Sequence, residues 1–115
     1  MDRTISQKMA QAAYERIVAR KPDREFASFA RSFPSLIHAS GLAQAVAFAR
    51  AKNRDAYLED LAAVLAAAGH SDVATVGELE TTTRNISVPA YIRLSRNALQ
   101  AAGWLKRYVE AREPE

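Results

Sequence analysis

Few side chains in this sequence have the types and spacing that acid–base, nucleophilic or metal chemistry requires. His38 and His70 each lack a second histidine or carboxylate three or four residues away, the spacing that places two metal ligands on one helix face. Ser40-Gly41 lacks the strand–turn–helix setting and the flanking glycine of a nucleophile elbow. The sequence also contains no cysteine and no glycine-rich phosphate loop. We therefore expect no catalytic residues, no metal ion and no cofactor.

The carboxylates are concentrated in residues 55–80, which carry six of them and no lysine or arginine. The segment before this block carries ten Lys/Arg against four Asp/Glu, and the segment after it carries six against three. Asp55, Glu59 and Asp60 fall on an alanine-rich helix, where we expect them to face outward. They could be imagined as an acid–base pair, but a solvated face is the more ordinary interpretation. A further interpretation is an acidic surface that docks on a basic neighbour.

The arginines near the C-terminus form the strongest functional pattern. Arg93, Arg96 and Arg107 project onto one face of a predicted helix, opposite its apolar face. Trp104 lies at the border of that basic face, and Lys106 lies about 100° away from Arg107 around the helix. Guanidinium groups beside an aromatic ring are what single-stranded nucleic acid binds. A solvated helix face with a mostly buried tryptophan would give the same pattern, so both interpretations stay open.

The elements that position these residues are helices, because the sequence shows helical periodicity and no strand-like alternation. We predict an all-α fold, a compact bundle of about five to six helices that forms a single domain over residues 1–115. The region between His70 and Ser87 is the least regular, with a short helix expected from Thr75 to about Thr83. The predicted helix N-caps are Thr4, Asp23, Asn53, Thr75 and Ser87.

The most apolar run of the chain, residues 33–50, is predicted to contain two helices that meet at Gly41. The second of these helices is almost entirely apolar, so we expect other helices to cover most of its circumference. A glycine between two helices also suggests a helix-turn-helix motif for DNA. That interpretation fails because a recognition helix needs several polar side chains, and Leu42–Ala49 offers only Gln44.

The cellular location follows from what the sequence lacks. No run of about 18 apolar residues is free of charge, and the N-terminus lacks the apolar core of a signal peptide. The lack of cysteine is what a reducing compartment allows. We therefore expect a cytoplasmic protein without a membrane partner.

Three segments of the sequence, taken in order, resemble a known family. The first is the charged N-terminal helix, with Thr4-Ile-Ser-Gln-Lys-Met-Ala10 followed by Tyr14-Glu-Arg-Ile17. The second is Phe33-Pro-Ser-Leu-Ile37 followed by Gly41-Leu-Ala-Gln-Ala-Val-Ala-Phe48, and the third is Trp104-Leu-Lys-Arg-Tyr108. Together they resemble the small subunit of the Cmr complex, the type III-B CRISPR RNA-guided effector.

The resemblance implies a non-catalytic helical subunit that stacks as two or more copies beside the backbone subunits holding the guide RNA. It also implies contacts with guide RNA and target RNA, and with other subunits of the complex, including the large subunit. A free-standing helical module that binds DNA as a dimer or regulates another protein is the rival interpretation. The candidate RNA-binding residues are Lys8, Arg16, Arg20, Lys21, Arg93, Arg96, Trp104, Lys106 and Arg107. The candidate docking residues are Asp55, Glu59 and Asp60.

Overall fold

Residues 3–112 are described by a computed structural model, and they form six α-helices and one 3₁₀ turn, with no strand among them. The all-α prediction is therefore confirmed. Residues 1, 2 and 113–115, the two ends of the predicted domain, lie outside the described residues. The helices are α1 (Ile5–Arg20), α2 (Arg24–Ser40), α3 (Leu42–Ala51), α4 (Asp55–Ala67), α5 (Val76–Asn85) and α6 (Val88–Arg112), with the 3₁₀ turn at Ser71–Val73 between α4 and α5.

Two capping boxes begin helices where the sequence predicts them. The Gln7 amide donates to Thr4 Oγ1 at 3.0 Å, and the Thr4 amide donates to Gln7 Oε1 at 2.8 Å. Thr75 and Glu78 make the same pair of hydrogen bonds at 3.1 and 3.2 Å at the start of α5. Each box satisfies two amides that the helix itself leaves without acceptors. The short helix expected after Thr75 is thus confirmed as α5.

The predicted N-cap at Asp23 is confirmed, because the Phe26 amide donates to Asp23 Oδ1 at 2.9 Å. The predicted N-cap at Asn53 is wrong. Asn53 has a φ of 58° and closes α3 instead of opening α4. Its amide donates to Arg50 O at 3.1 Å, and the Arg54 amide donates to Ala49 O at 2.8 Å. These two bonds around a left-handed residue form a Schellman motif, a conformation that asparagine tolerates better than most residues.

The core lies where α1 packs on α4 and α6, and where α2 packs on α6. The expectation that α3 is covered on most of its circumference is wrong. Only its Leu42, Ala45, Val46 and Ala49 stripe is buried, and Phe48 is 44% exposed. The small alanine side chains leave little apolar surface in water, so one buried stripe is enough to hold this helix. The most deeply buried helix is α4.

The junction between α2 and α3 depends on Gly41, whose φ of 84° is costly for any residue with a Cβ. The Gly41 amide donates to Ile37 O at 2.8 Å and so completes α2. On the other side of the junction, the Ala43 amide donates to Tyr91 Oη of α6 at 3.0 Å. The start of α3 is therefore fixed by α6, the helix that carries the basic face.

Tyr57 provides a test of this core. Its ring lies 4.9 Å from Phe33, centroid to centroid, and its hydroxyl is buried with no hydrogen-bond partner among residues 3–112. Burial raises the pKa of Tyr57, and the negative charge of Asp60 adds to the effect. Because an unfolded tyrosine ionises near pH 10, the unfolded state releases this proton first, and stability falls as the pH rises above about 10.

We expect Tyr57→Phe to leave the free energy of unfolding at neutral pH unchanged, or to raise it by up to about 1 kcal/mol, because no hydrogen bond is lost. The variant should also lose less stability than the wild type above pH 10. Urea unfolding at neutral and alkaline pH measures both effects. A loss of more than about 1 kcal/mol at neutral pH would show that the hydroxyl has a polar partner.

Candidate nucleic-acid interface

The outer face of α6 carries the arginines that the sequence predicts there. Arg93, Arg96 and Arg107 are exposed, and the opposite face of the helix is buried. None of the three forms an ion pair with a residue of the described part of the chain. The sequence from residue 81 to residue 109 contains no Asp or Glu, so no carboxylate of the helix offsets these charges before Glu110. The face is therefore a cationic strip, about 21 Å long from its first arginine to its last at the usual helical rise.

Trp104 is half-buried and stacks on Tyr108 of the same helix, with ring centroids 5.8 Å apart and an interplanar angle of 17°. Tyr108 in turn meets the ring of Tyr14 on α1 edge-to-face, at 5.6 Å. Trp104 thus packs against the core and still keeps part of its surface in water. Lys106 is also half-buried and lies off the line of the three arginines.

Two of the candidate RNA-binding arginines on α1 are held by a carboxylate of α4. Arg16 Nε lies 2.7 Å from Asp60 Oδ1, and Arg20 donates to both oxygens of Asp60 at 2.9 and 3.0 Å. Arg20 also donates to the Ala56 carbonyl at 3.1 Å. Its hydrogen bonds to Asp60 raise the pKa of Arg20, although its partial burial acts in the opposite direction. These two arginines clamp α1 to α4, whereas Lys8 and Lys21, the other candidates from this region, are exposed.

The predicted outward position of Asp60 is wrong, because its side chain is completely buried. Asp60 follows Tyr57 by three residues and precedes Leu61 and Val64, so it lies on the buried stripe of α4. A carboxylate is almost never buried without a paired cation, and here the arginines of α1 provide one. The sequence signal that could have predicted this buried pair is an acidic residue, Asp60, on an apolar stripe. Arg16 and Arg20, four residues apart on another helix, are the matching cations.

Asp55 and Glu59 are exposed on α4, as expected. Asp55 Oδ2 lies 3.6 Å from Arg50 Nη1, and Arg50 Nε lies 3.9 Å from Glu80. The fold therefore brings one arginine of α3 to the edge of the acidic block, which has no basic residue in its own sequence. Glu59, the other exposed carboxylate of α4, forms no ion pair with a residue of the described part of the chain.

The remaining polar candidates have structural positions. His70 Nε2 lies 2.7 Å from Asn97 Nδ2, a contact that ties the loop after α4 to α6. His38 is exposed. Within residues 3–112, no three His, Asp or Glu side chains lie close enough together to hold a metal ion. None of the described helices combines the length and the apolar character needed to cross a membrane.

A basic groove was not predicted from the sequence. It has a volume of about 640 Å³ and is lined by cations from the α1–α2 turn, α2 and the end of α6. Arg24, Ser28 and Arg31 line it at positions i, i+4 and i+7, so they share one face of α2. That spacing is the sequence signal that could have predicted a basic face on α2. The prediction for this helix followed its aromatic stripe instead. The cationic residues that line the groove are Lys21, Arg24, Arg31 and Arg112.

Comparison with known proteins identifies the family. Residues 5–112 match the family described as CRISPR-associated protein (Cas_Cmr5). The chain is 37% identical over 115 residues to the CRISPR system Cmr subunit Cmr5 of Thermus thermophilus, with 95% of this chain and 96% of the relative covered. It also superposes on the crystal structure of a CRISPR-associated Cmr5 family protein from Thermus thermophilus with a TM-score of 0.82, at 36% identity, over 95% of this chain and 97% of that one. This chain belongs to the Cmr5 family, which confirms the resemblance found in its sequence.

Proposed function

We propose that this chain is a non-catalytic structural subunit of a type III-B CRISPR (Cmr) complex that contacts RNA with one surface and neighbouring subunits with another. The observation that carries the proposal is the cationic strip of α6, on a chain that belongs to the Cmr5 family. The relative from Thermus thermophilus is named a subunit of the Cmr system, which supports placing this chain in the same kind of assembly. The proposed partners are guide RNA, target RNA, the backbone and large subunits, and further copies of this chain, in the cytoplasm.

The proposed RNA contacts are to phosphates and not to bases. Arg93, Arg96 and Arg107 have no ion pairs with described residues to break before they meet a phosphate. Contacts of this kind position a nucleic acid without reading its sequence, and they weaken steeply as salt is added. Lys8 on α1 and Lys21 just after its end add exposed charge, and Lys106 and Trp104 lie beside the strip. Arg16 and Arg20 are not included, because Asp60 already holds both.

Purification of the assembled complex tests the proposal and its rival together. We expect a tag on this chain, co-expressed with the other subunits of its own Cmr system, to retain those subunits and guide RNA. Elution of the chain alone would overturn the proposal. Specific binding of duplex DNA by a dimer of the chain would instead support the free-standing DNA-binding or regulatory module.

The acidic side of α4 is the proposed docking surface for a basic face of a neighbouring subunit. Reversing its two exposed carboxylates, in Asp55→Lys/Glu59→Lys, should lower the amount of this chain in the purified complex without unfolding it. Native mass spectrometry gives the stoichiometry. The matched control is Glu15→Lys/Glu110→Lys, which reverses two exposed carboxylates on α1 and α6. Full stoichiometry of the α4 variant would exclude this docking surface.

A further inference from the structure

Arg112, which the proposed function does not use, connects two features of the surface. It lines the basic groove between the α1–α2 turn, α2 and the end of α6. Its guanidinium carbon also lies 5.6 Å from the centroid of the Tyr14 ring, at the end of the row Tyr14–Tyr108–Trp104. We call this row of three rings the aromatic ladder. The groove and the ladder are therefore neighbours, and Arg112 is shared between them.

The groove is suited to phosphate. Four cationic side chains line it, and the single carboxylate among its lining residues is Asp23. That carboxylate accepts a hydrogen bond from the Phe26 amide and caps the N-terminus of α2. Part of its negative charge therefore compensates the positive end of the helix dipole. Lys21 and Arg24 are exposed beside it, and neither forms an ion pair with a residue between 3 and 112. A concave surface with this excess of positive charge attracts a polyanion.

The ladder is suited to unpaired bases. Tyr14 is 45% exposed, and Tyr108 and Trp104 each keep part of their surface in water. A shallow depression next to the ladder is lined by Tyr14 and Tyr108 together with Arg3, Gln7 and Gln11, which adds another cation and two amide side chains. Aromatic surface beside a cationic groove binds single strands, because their bases are free to stack. The bases of a duplex are already stacked inside it and present only phosphates to such a surface.

We propose that the groove and the aromatic ladder bind an unpaired RNA strand, with phosphates against Lys21, Arg24 and Arg112 and with bases against the rings of Tyr14 and Trp104. This inference rests on the proposed function, because it takes RNA to be the partner. It adds the strand class and a second site, apart from the arginines on the outer face of α6.

Trp104 is the only tryptophan of the chain, so its fluorescence reports on the ladder directly. The experiment is a titration of the purified protein with oligouridylate or oligoadenylate, and with an RNA duplex of the same length, at several salt concentrations. We expect the single strands to change the Trp104 emission and to bind about tenfold more tightly than the duplex, the ratio that stacking of a single base would give.

Substitutions separate the two parts of the site. Lys21→Gln/Arg24→Gln should weaken binding and reduce the slope of log K against log salt by about 1.4, at about 0.7 for each single-strand phosphate contact. The matched control Lys52→Gln/Arg84→Gln removes one exposed lysine and one exposed arginine outside the groove and should have no effect on the slope. Tyr14→Leu should weaken binding at least fivefold and leave the salt slope unchanged. Tyr14→Phe keeps the aromatic ring and should bind as tightly as the wild type.

Equal binding of duplex and single strand, an unchanged Trp104 emission, or a groove variant indistinguishable from its control would each overturn the inference. So would inorganic polyphosphate that binds as tightly as the oligonucleotides, because the ladder would then contribute nothing. If the inference fails while the chain still purifies with the Cmr subunits and guide RNA, the proposed function stands. If the chain binds single strands and does not enter the complex, the proposed function fails alone.

Discussion

Replacing Arg16 and Arg20 together with methionine is expected to lower the free energy of unfolding by about 3–5 kcal/mol. The two substitutions leave the Asp60 carboxylate completely buried without any of the hydrogen bonds that the α1 arginines now donate to it. The arginines themselves are partly exposed, at 41% and 26%, so water can solvate much of their charge. The cost therefore arises from the buried carboxylate. A loss of this size is a large fraction of the stability of a small domain.

A third substitution distinguishes charge from packing. Adding Asp60→Leu to the double variant removes the buried charge, and we expect it to restore most of the lost stability, because apolar residues often replace a buried ion pair at little cost. Urea unfolding monitored by circular dichroism measures each step. The control Arg24→Met/Arg84→Met changes two exposed arginines and should stay within about 1 kcal/mol of the wild type. An Arg16/Arg20 variant as stable as this control would contradict the role assigned to Asp60.

Reversing the arginines of α6, in Arg93→Glu/Arg96→Glu/Arg107→Glu, is expected to have the largest effect on function. All three side chains are exposed, so the fold should be retained. Within a reconstituted Cmr complex, the variant should reduce the protection of target RNA from added nuclease. The slope of log K against log salt should fall by about 2 to 3, at about 0.7 to 0.9 for each lost phosphate contact.

The effect of this variant must be separated from a general change in net charge. Lys52→Glu/Arg84→Glu reverses exposed cations near the end of α3 and on α5, and it should leave RNA protection unchanged. The loss of RNA protection in the α6 variant should also be the same for RNAs of different base sequence, because the lost contacts are to phosphates. Wild-type protection by the α6 variant would place the RNA on another surface of the chain.

The features that the sequence predicted correctly are those decided by residues close together in the chain. The capping boxes at Thr4 and Thr75 each depend on two residues three positions apart. The exposed and buried faces of α6 follow from helical periodicity, so Arg93 and Leu94 fall on the sides that the projection gives them. Local geometry of this kind survives in almost any tertiary context.

The features that the sequence missed depend on contacts between distant segments. Asp60 was expected to face water because most carboxylates do, and only the packing of α1 on α4 brings Arg16 and Arg20 to it. The groove likewise joins residues near position 21 to Arg112, which are brought together by the tertiary fold. At Asn53, two signals competed, and the closing of α3 prevailed over the opening of α4. The asparagine is compatible with either role in the sequence alone.

The most direct test of the central claim is ultraviolet cross-linking of RNA to protein in the assembled complex, followed by mass spectrometry of the cross-linked peptides. If this chain is an RNA-contacting subunit of a Cmr complex, peptides of α6 around Arg93–Arg107 should carry nucleotides, with Trp104 beside the strip as the reactive ring. The Lys52 and Arg84 regions provide the internal comparison and should carry none. Cross-links to other subunits with none to α6 of this chain would contradict the account.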